Sequence, residues 1–203
     1  MIAIVGNSGV GKTTLARLLS DRLQLPLALE QHAERPFQVL CAQDPCRYAF
    51  VNQMDYLLFR AEQEAELRRN FGFGVLDGGL DLDFHGFTRL FHDRRYMSDK
   101  EMDVCRRLYL HLRHLQPAPQ IFVHLTAPVA TLRQRFERRA RTAEVTQSED
   151  LPRLQLLVEE WLANLTGSIV LPVDASREDP AFSQVIDRLA SDVHRALPRS
   201  ASE

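Results

Sequence analysis

The chain has 203 residues, 45% of them hydrophobic, a length and composition that fit one domain with a full core. Its 25 basic and 27 acidic side chains leave a net charge of −2, so no overall positive field exists to hold duplex nucleic acid or an anionic membrane, and a small-molecule partner is favoured. No run approaches the roughly twenty apolar residues of a membrane span, and the chain starts with a strand and a loop instead of a basic leader, which points to a cytoplasmic protein.

Residues 2–5 form an apolar run that reads as a first strand, and residues 15–23 behind them carry a helical pattern. Between the two, Gly6, Asn7, Ser8, Gly9, Val10, Gly11, Lys12, Thr13 and Thr14 complete the pattern GxxxxGK(S/T). Each part of that loop has a partner on a magnesium-bound triphosphate. The glycines let the backbone curl so that successive N–H groups point at phosphate oxygens. Lys12 brings a positive charge toward the β- and γ-phosphates, Thr13 offers its hydroxyl to Mg²⁺, and the helix N-terminus adds its dipole.

Residues 27–29 read as a second strand, delivering Glu30 to the edge of the sheet where ligands sit in open α/β folds. A carboxylate there is the base that an acceptor hydroxyl needs. Asp44-Pro45 then opens a helix, with the Asp44 side chain as cap and Tyr48, Phe50, Met54, Leu57 and Leu58 on its apolar face, running to about Leu67. Residues 74–76 form a third strand ending at Asp77, the pattern by which such loops acquire a second oxygen ligand near Mg²⁺.

Ser98 and Glu101 have capping-box spacing ahead of a helix through Leu108, Leu112 and Leu115 to Pro117. Residues 121–125 read as a fourth strand, 128–137 as a helix ending in arginines, and 169–173 as a fifth strand. Continuous apolar strands separated by helix-length segments predict a parallel five-stranded sheet with helices on both faces, a three-layer α/β fold. A single domain is expected over residues 1–197, with a frayed tail at 198–203.

Arg133 and Arg135 read as a solvated helix face, whereas Arg138, Arg139 and Arg141 come where the helix pattern fails and read as a lid over the triphosphate. Cys41, Cys46 and Cys105, odd in number and unrelated in spacing, are expected to be reduced and structural. His92, His111 and His114 lie among arginines and read as solvated, so no histidine or cysteine metal cage is expected. Asp83-Phe84-His85-Gly86 formally matches a GTPase switch, but it does not directly follow an apolar strand and no Asn-Lys-x-Asp motif accompanies it.

With these pieces in order, the chain resembles the deoxynucleoside kinase family over nearly its whole length, most closely the compact bacterial deoxyadenosine/deoxyguanosine kinase branch. The phosphate loop corresponds to residues 6–13, the catalytic-base glutamate to Glu30, and the family's Asn-Pro-Phe to Arg35-Pro36-Phe37. The most specific match is Asp44-Pro45-Cys46-Arg47-Tyr48-Ala49-Phe50-Val51-Asn52-Gln53, which is similar to D-P-x-R-Y-A-F-x-x-Q. The resemblance implies that Gln53 meets the nucleobase, that Phe50 and Phe84 wall the base, that Arg139 and Arg141 belong to the lid, and that Glu144 contacts the sugar. It also implies ATP as donor, Mg²⁺, a nucleoside acceptor, and a homodimer packed through the helices around Leu57 and Leu108.

Two departures stand out. Where the family has Asp-Arg-Ser after the third strand, this chain has Asp77-Gly78-Gly79, and the family's sugar-binding tyrosine aligns with Ala42. Three outcomes follow: another arginine (Arg35, Arg60 or Arg89) compensates; the acceptor differs, as in a nucleoside monophosphate kinase, with the glycines opening room for a bulkier or already phosphorylated molecule; or the chain is a nucleotide-binding regulatory module that does not transfer. Arg60 is taken as a residue of the acceptor site.

Overall fold

The computed structural model describes residues 1–30, 35–139, 144–177, 179 and 182–197. In chain order the elements are β1 (Ile2–Gly6), α1 (Lys12–Leu23), β2 (Leu27–Ala28), α2 (Gln38–Gln43), α3 (Pro45–Phe71), β3 (Val75–Asp77), α4 (Leu80–Leu82), a π-helical segment (Asp83–Thr88) and α5 (Arg89–Asp93). They continue with α6 (Asp99–Leu115), β4 (Ile121–Thr126), α7 (Val129–Arg139), a 3₁₀ turn (Ser148–Asp150), α8 (Leu151–Ala163), β5 (Ile169–Asp174) and α9 (Ile186–Ala196). The five strands form one sheet in the order β2-β3-β1-β4-β5, with every pairing parallel. The chain leaves β1 toward β2 and β3 on one side and returns to build β4 and β5 on the other. The crevice at the carboxyl end of β1 is therefore the switch point at which such sheets bind ligands.

The three central strands, β1, β3 and β4, are buried on both faces, while the edge strands β2 and β5 are partly exposed. Ala3, Val5, Leu76 and Phe122 pack with Leu57 of α3, Leu80 of α4, and Leu154, Val158 and Trp161 of α8. Ile2, Ile4, Val75, Ile121 and Val123 pack against Leu15 and Leu19 of α1 and Leu189 and Val193 of α9. Alternation between the two clusters along β1 and β4 is the period-two signature of a strand, here with an apolar partner on each side.

Helix ends follow local chemistry. The Asp44 side chain accepts from Arg47 N–H at 3.2 Å, as expected of a cap. At α6, Ser98 N–H donates to Glu101 Oε2 at 2.7 Å and Glu101 N–H to Ser98 Oγ at 3.4 Å, completing the capping box. α3 runs past Leu67 to Phe71 and stops at Gly72, whose N–H bonds the Arg68 carbonyl. β2 is shorter than its apolar run: the Leu29 carbonyl accepts from Gln63 Nε2 at 2.8 Å, so the chain leaves the ladder there and carries Glu30 over α3.

Leu57 is fully buried in the core and Leu108 is half-buried against that core. The exposed apolar side chains of α3 and α6 are Leu58, Phe71, Val104, Leu110 and Leu115. Cys41 and Cys105 are buried and Cys46 is exposed, all as free thiols. No helix among the described residues is long and apolar enough to cross a membrane. The tail at 198–203 lies outside the described residues.

Candidate active site

The phosphate loop joins β1 to α1 in a form that suits an anion. Gly6 has φ +144, and a Cβ there would stand 2.4 Å from the Leu125 carbonyl oxygen of the neighbouring strand, so only glycine lets the loop start this close to β4. α1 has no side-chain cap and no acidic residue in its first turn, which leaves its end open to phosphate. Lys12 Nζ donates back to the Gly6 and Asn7 carbonyls at 3.2 and 3.0 Å. Asn7 is fixed from outside the loop, its Nδ2 donating to the Leu151 carbonyl at 2.8 Å.

Parallel pairing sets Ile4 beside Asp77, so β3 delivers its terminal carboxylate under α1. Thr13 Oγ1 donates to Asp77 Oδ2 at 2.6 Å, while Asp77 Oδ1 is buried with no hydrogen-bond partner among the described residues. A hydroxyl and an unsatisfied carboxylate oxygen make a hard donor set, which fits Mg²⁺. Among the described residues no cluster of three His, Cys, Asp or Glu side chains forms a protein-only metal cage.

Two pockets meet at Glu30. The first, between the loop and α7, is lined by Gly9, Gly11, Lys12, Thr13, Thr14, Glu30 and Arg139. The second runs deeper, between α3 and the π-helical segment, and is lined by Gln38, Asn52, Gln53, Tyr56, Arg60, Asp83, Phe87, Phe91 and Glu144, again with Lys12, Glu30 and Arg139. Gln53 is 2% exposed, and its Oε1 accepts from Thr88 Oγ1 at 3.4 Å. Asn52 Nδ2 donates to Gln38 Oε1 at 3.3 Å, and Asn52 Oδ1 is buried with no partner among the described residues. A buried acceptor on a pocket wall suits a ligand that carries a donor.

The three arginines able to stand in for the missing one are separated by their partners. Arg35 forms a two-bond pair with Asp55, at 2.7 and 2.8 Å. Arg89 pairs with Glu160 at the surface. Arg60 lies 3.6 Å from Glu30 and donates to Asp83 at 2.6 Å. Burial works against the charge on Arg60, but Asp83 and Glu30 outweigh it and raise its pKa above the ordinary arginine value. Burial pushes the Asp83 carboxyl up to about 6, and Arg60 limits the rise.

Two expectations need correction. Phe84 does not wall the deep pocket: it is buried in a stack on Tyr109, with ring centroids 4.2 Å apart, and Phe50 packs against the core. The pocket's aromatic lining comes from Tyr56, Phe87 and Phe91. Arg135 is not merely solvated, since its guanidinium donates to the Ala175 and Arg177 carbonyls at 2.7 and 2.9 Å. Gly78 also lines the deep pocket, and a Cβ there would stand 3.2 Å from Arg60 Nη2.

Arg135 and Arg138, with Ala175, Arg177 and Phe182, form a third hollow beside Gly9, Gly11 and Thr14. Sequence reading passes over its Phe182 and Arg177, which lie in a segment without a motif. Arg139 pairs with Glu144, so these two ends of the lid region are held together. Arg141 lies outside the described residues.

A deoxynucleoside kinase family model matches residues 2–198. The deoxyadenosine/deoxycytidine kinase of Bacillus subtilis (strain 168) is 23% identical over 202 residues, 96% of this chain and 93% of the relative. The deoxyguanosine kinase of the same strain is 28% identical over 145 residues, 70% of this chain and 68% of the relative. Among solved structures, deoxyadenosine kinase from M. mycoides with bound dCTP matches with a TM-score of 0.78 at 21% identity, over 94% of this chain and 98% of that one.

Proposed function

The chain belongs to the deoxynucleoside kinase family, and from that premise we propose that it transfers the γ-phosphoryl group of ATP to the 5′-hydroxyl of a deoxynucleoside, preferring a purine. The observation that carries this reading is the junction of two pockets at Lys12, Glu30 and Arg139. One side offers a phosphate loop and the other a deeper pocket with polar and aromatic walls, so donor and acceptor would meet end to end at a carboxylate.

In this reading the triphosphate lies along residues 6–14, with its base in the hollow lined by Arg135, Arg138 and Phe182. Thr13 and Asp77 would hold Mg²⁺, which when bound neutralises charge on the donor phosphates. Glu30 accepts the proton of the acceptor hydroxyl as that oxygen attacks phosphorus. Lys12 and Arg139 face the charge that develops on the transferring group, with Arg141 assigned to the same lid. Gln53 presents both a donor and an acceptor to the edge of the base, Phe87 and Phe91 flank it, and Glu144 takes the sugar end. The buried Asn52 and Gln38 amides add hydrogen-bonding capacity that fits a polar acceptor. A cytoplasmic setting suits an enzyme that needs ATP and keeps three free thiols.

Glu30→Gln removes the base and leaves the triphosphate loop intact. Transfer to deoxynucleosides should fall at least about a hundredfold, while calorimetry should show ATP affinity close to that of the unaltered protein. Full activity in that variant would remove Glu30 from the mechanism. A turnover screen over deoxynucleosides and nucleoside monophosphates tests the acceptor, and exclusive use of monophosphates would overturn the class proposed here.

A further inference from the structure

The wall of the deep pocket carries more amide chemistry than Gln53 alone supplies. Asn52, the neighbour of Gln53 on α3, is 1% exposed and lines the same pocket, as does the buried Gln38 of α2. Asn52 Nδ2 donates to Gln38 Oε1 at 3.3 Å. That bond uses the nitrogen of the Asn52 amide and leaves its oxygen. Oδ1 is shut off from water and has no hydrogen-bond partner among the described residues. Such an acceptor costs free energy in the protein by itself, and a ligand that brings an N–H recovers it. The helix fixes which end of a ligand meets it. Arg60, on the same helix, has its Nη2 3.6 Å from Glu30 Oε1. Positions 52 and 60 are about 12 Å apart along the axis, at the helical rise of about 1.5 Å per residue. Asn52 therefore sits at the end of the pocket remote from Glu30.

We propose that Asn52 is a specificity-determining residue of the acceptor pocket: its Oδ1 accepts an N–H from an exocyclic amino group on the base, so that the pocket selects amino-bearing purines. The proposal rests on the acceptor being a deoxynucleoside with its 5′-hydroxyl at Glu30, which puts the base at the Asn52 end. Gln53 by itself offers one donor and one acceptor, enough for two adjacent positions on a base edge. With guanine these are the 6-oxygen and the ring N–H beside it, and the 2-amino group remains for a further acceptor. With adenine they are the ring nitrogen and one hydrogen of the 6-amino group, and the second amino hydrogen remains. The Asn52 oxygen suits either remaining N–H. A base without the amino group leaves that oxygen buried and unpaired. A site built to bond a group rejects the analogue lacking it far more strongly than an apolar site does.

The test uses the full-length protein and two matched pairs of acceptors. Deoxyguanosine is paired with deoxyinosine, which lacks the 2-amino group, and deoxyadenosine with purine deoxyribonucleoside, which lacks the 6-amino group. Calorimetry gives the affinity for each and turnover gives kcat/KM. The variants are Asn52→Leu, which keeps the branched shape without the acceptor, and Asn52→Ala, which asks for no space. Each ratio is taken within one preparation, so partial loss of folded protein cancels. In the unaltered protein the amino-bearing member of at least one pair should be preferred at least about tenfold in both measures, and the pair that shows it identifies the amino group that Asn52 reads. In both variants that preference should shrink to about twofold or less. A preference that survives the substitutions intact would place recognition on Gln53 and overturn the proposal. No preference in either pair would overturn it too, with the unaltered protein alone. So would a preference for the amino-free member, which would mean that the amide nitrogen faces the base. A binding preference that the variants lose, in a protein that phosphorylates none of the four, would support the Asn52 contact and overturn the transfer reaction. Binding of none of the four would overturn both.

Discussion

Gly78 shows how much one residue can settle. Its φ of +86 is a conformation that side chains rarely adopt, and the space above its Cα belongs to Arg60 Nη2. Gly78→Ala should therefore lower the stability measured by urea denaturation by about 1–3 kcal/mol, with a smaller loss in the R60Q/D83N background, where the crowding guanidinium is gone. An unaltered midpoint would mean that neither the backbone nor the contact constrains this position. From the sequence, Gly78 reads as a missing arginine or as room for a larger acceptor. The structure adds a contact that the sequence does not announce, because Arg60 lies eighteen positions earlier on another element and yet stands 3.2 Å from where a Cβ on Gly78 would be.

At the scale of elements, the π-helical segment decides what the deep pocket is made of. Thr88 Oγ1 bonds the Asp83 carbonyl at 2.9 Å across the widened turn. Asp83, Phe87 and Phe91 reach the pocket, while Phe84 and His85 turn toward Tyr109 and Trp161. Nothing in the residue spacing announces a π turn, and the family resemblance that suggests Phe84 as a wall residue carries no information about it. His85 is stacked 5.2 Å from Trp161, and burial, aided by Arg89 and Arg113, pulls its pKa down to about 4. With the folded value below the unfolded one, the unfolded chain takes up a proton first as pH falls from about 6.5 to about 4. The stability that the neutral ring contributes is lost across that window. Asp83, whose value is raised to about 6, works in the opposite sense below that pH, so the two must be separated by mutation. Melting temperatures between pH 7 and pH 4.5 should fall less steeply in His85→Gln than in the unaltered protein; parallel curves would remove His85 as a contributor.

Across the whole molecule, the helices beside the deep pocket are tied by one cation. Arg113 of α6 donates to both oxygens of Glu64 on α3 at 2.7 and 2.9 Å and to both oxygens of Asp81 on α4 at 3.0 and 2.7 Å. Glu64 is fully buried and also accepts from the Leu80 N–H. Arg113→Met would leave two buried carboxylates without their cation, and the expected loss in urea denaturation is about 3–5 kcal/mol. A loss below about 1 kcal/mol would show that water or other groups satisfy the pair.

The sequence by itself determined the layered parallel sheet, the helix caps at Asp44 and Ser98, and the donor loop with Thr13 beside Asp77. In each, the residues that matter are neighbours in the chain or sit at the ends of adjacent parallel strands, so local spacing carries the information. Tertiary structure alone decided which arginine stands beside Glu30, which aromatics line the deep pocket, and that Arg135 binds two carbonyls near β5 instead of facing solvent. Those outcomes depend on where α3, the π-helical segment and α7 settle against one another. Packing of distant elements sets that arrangement, and side-chain volume and buried charge, which no local pattern records, choose among the alternatives.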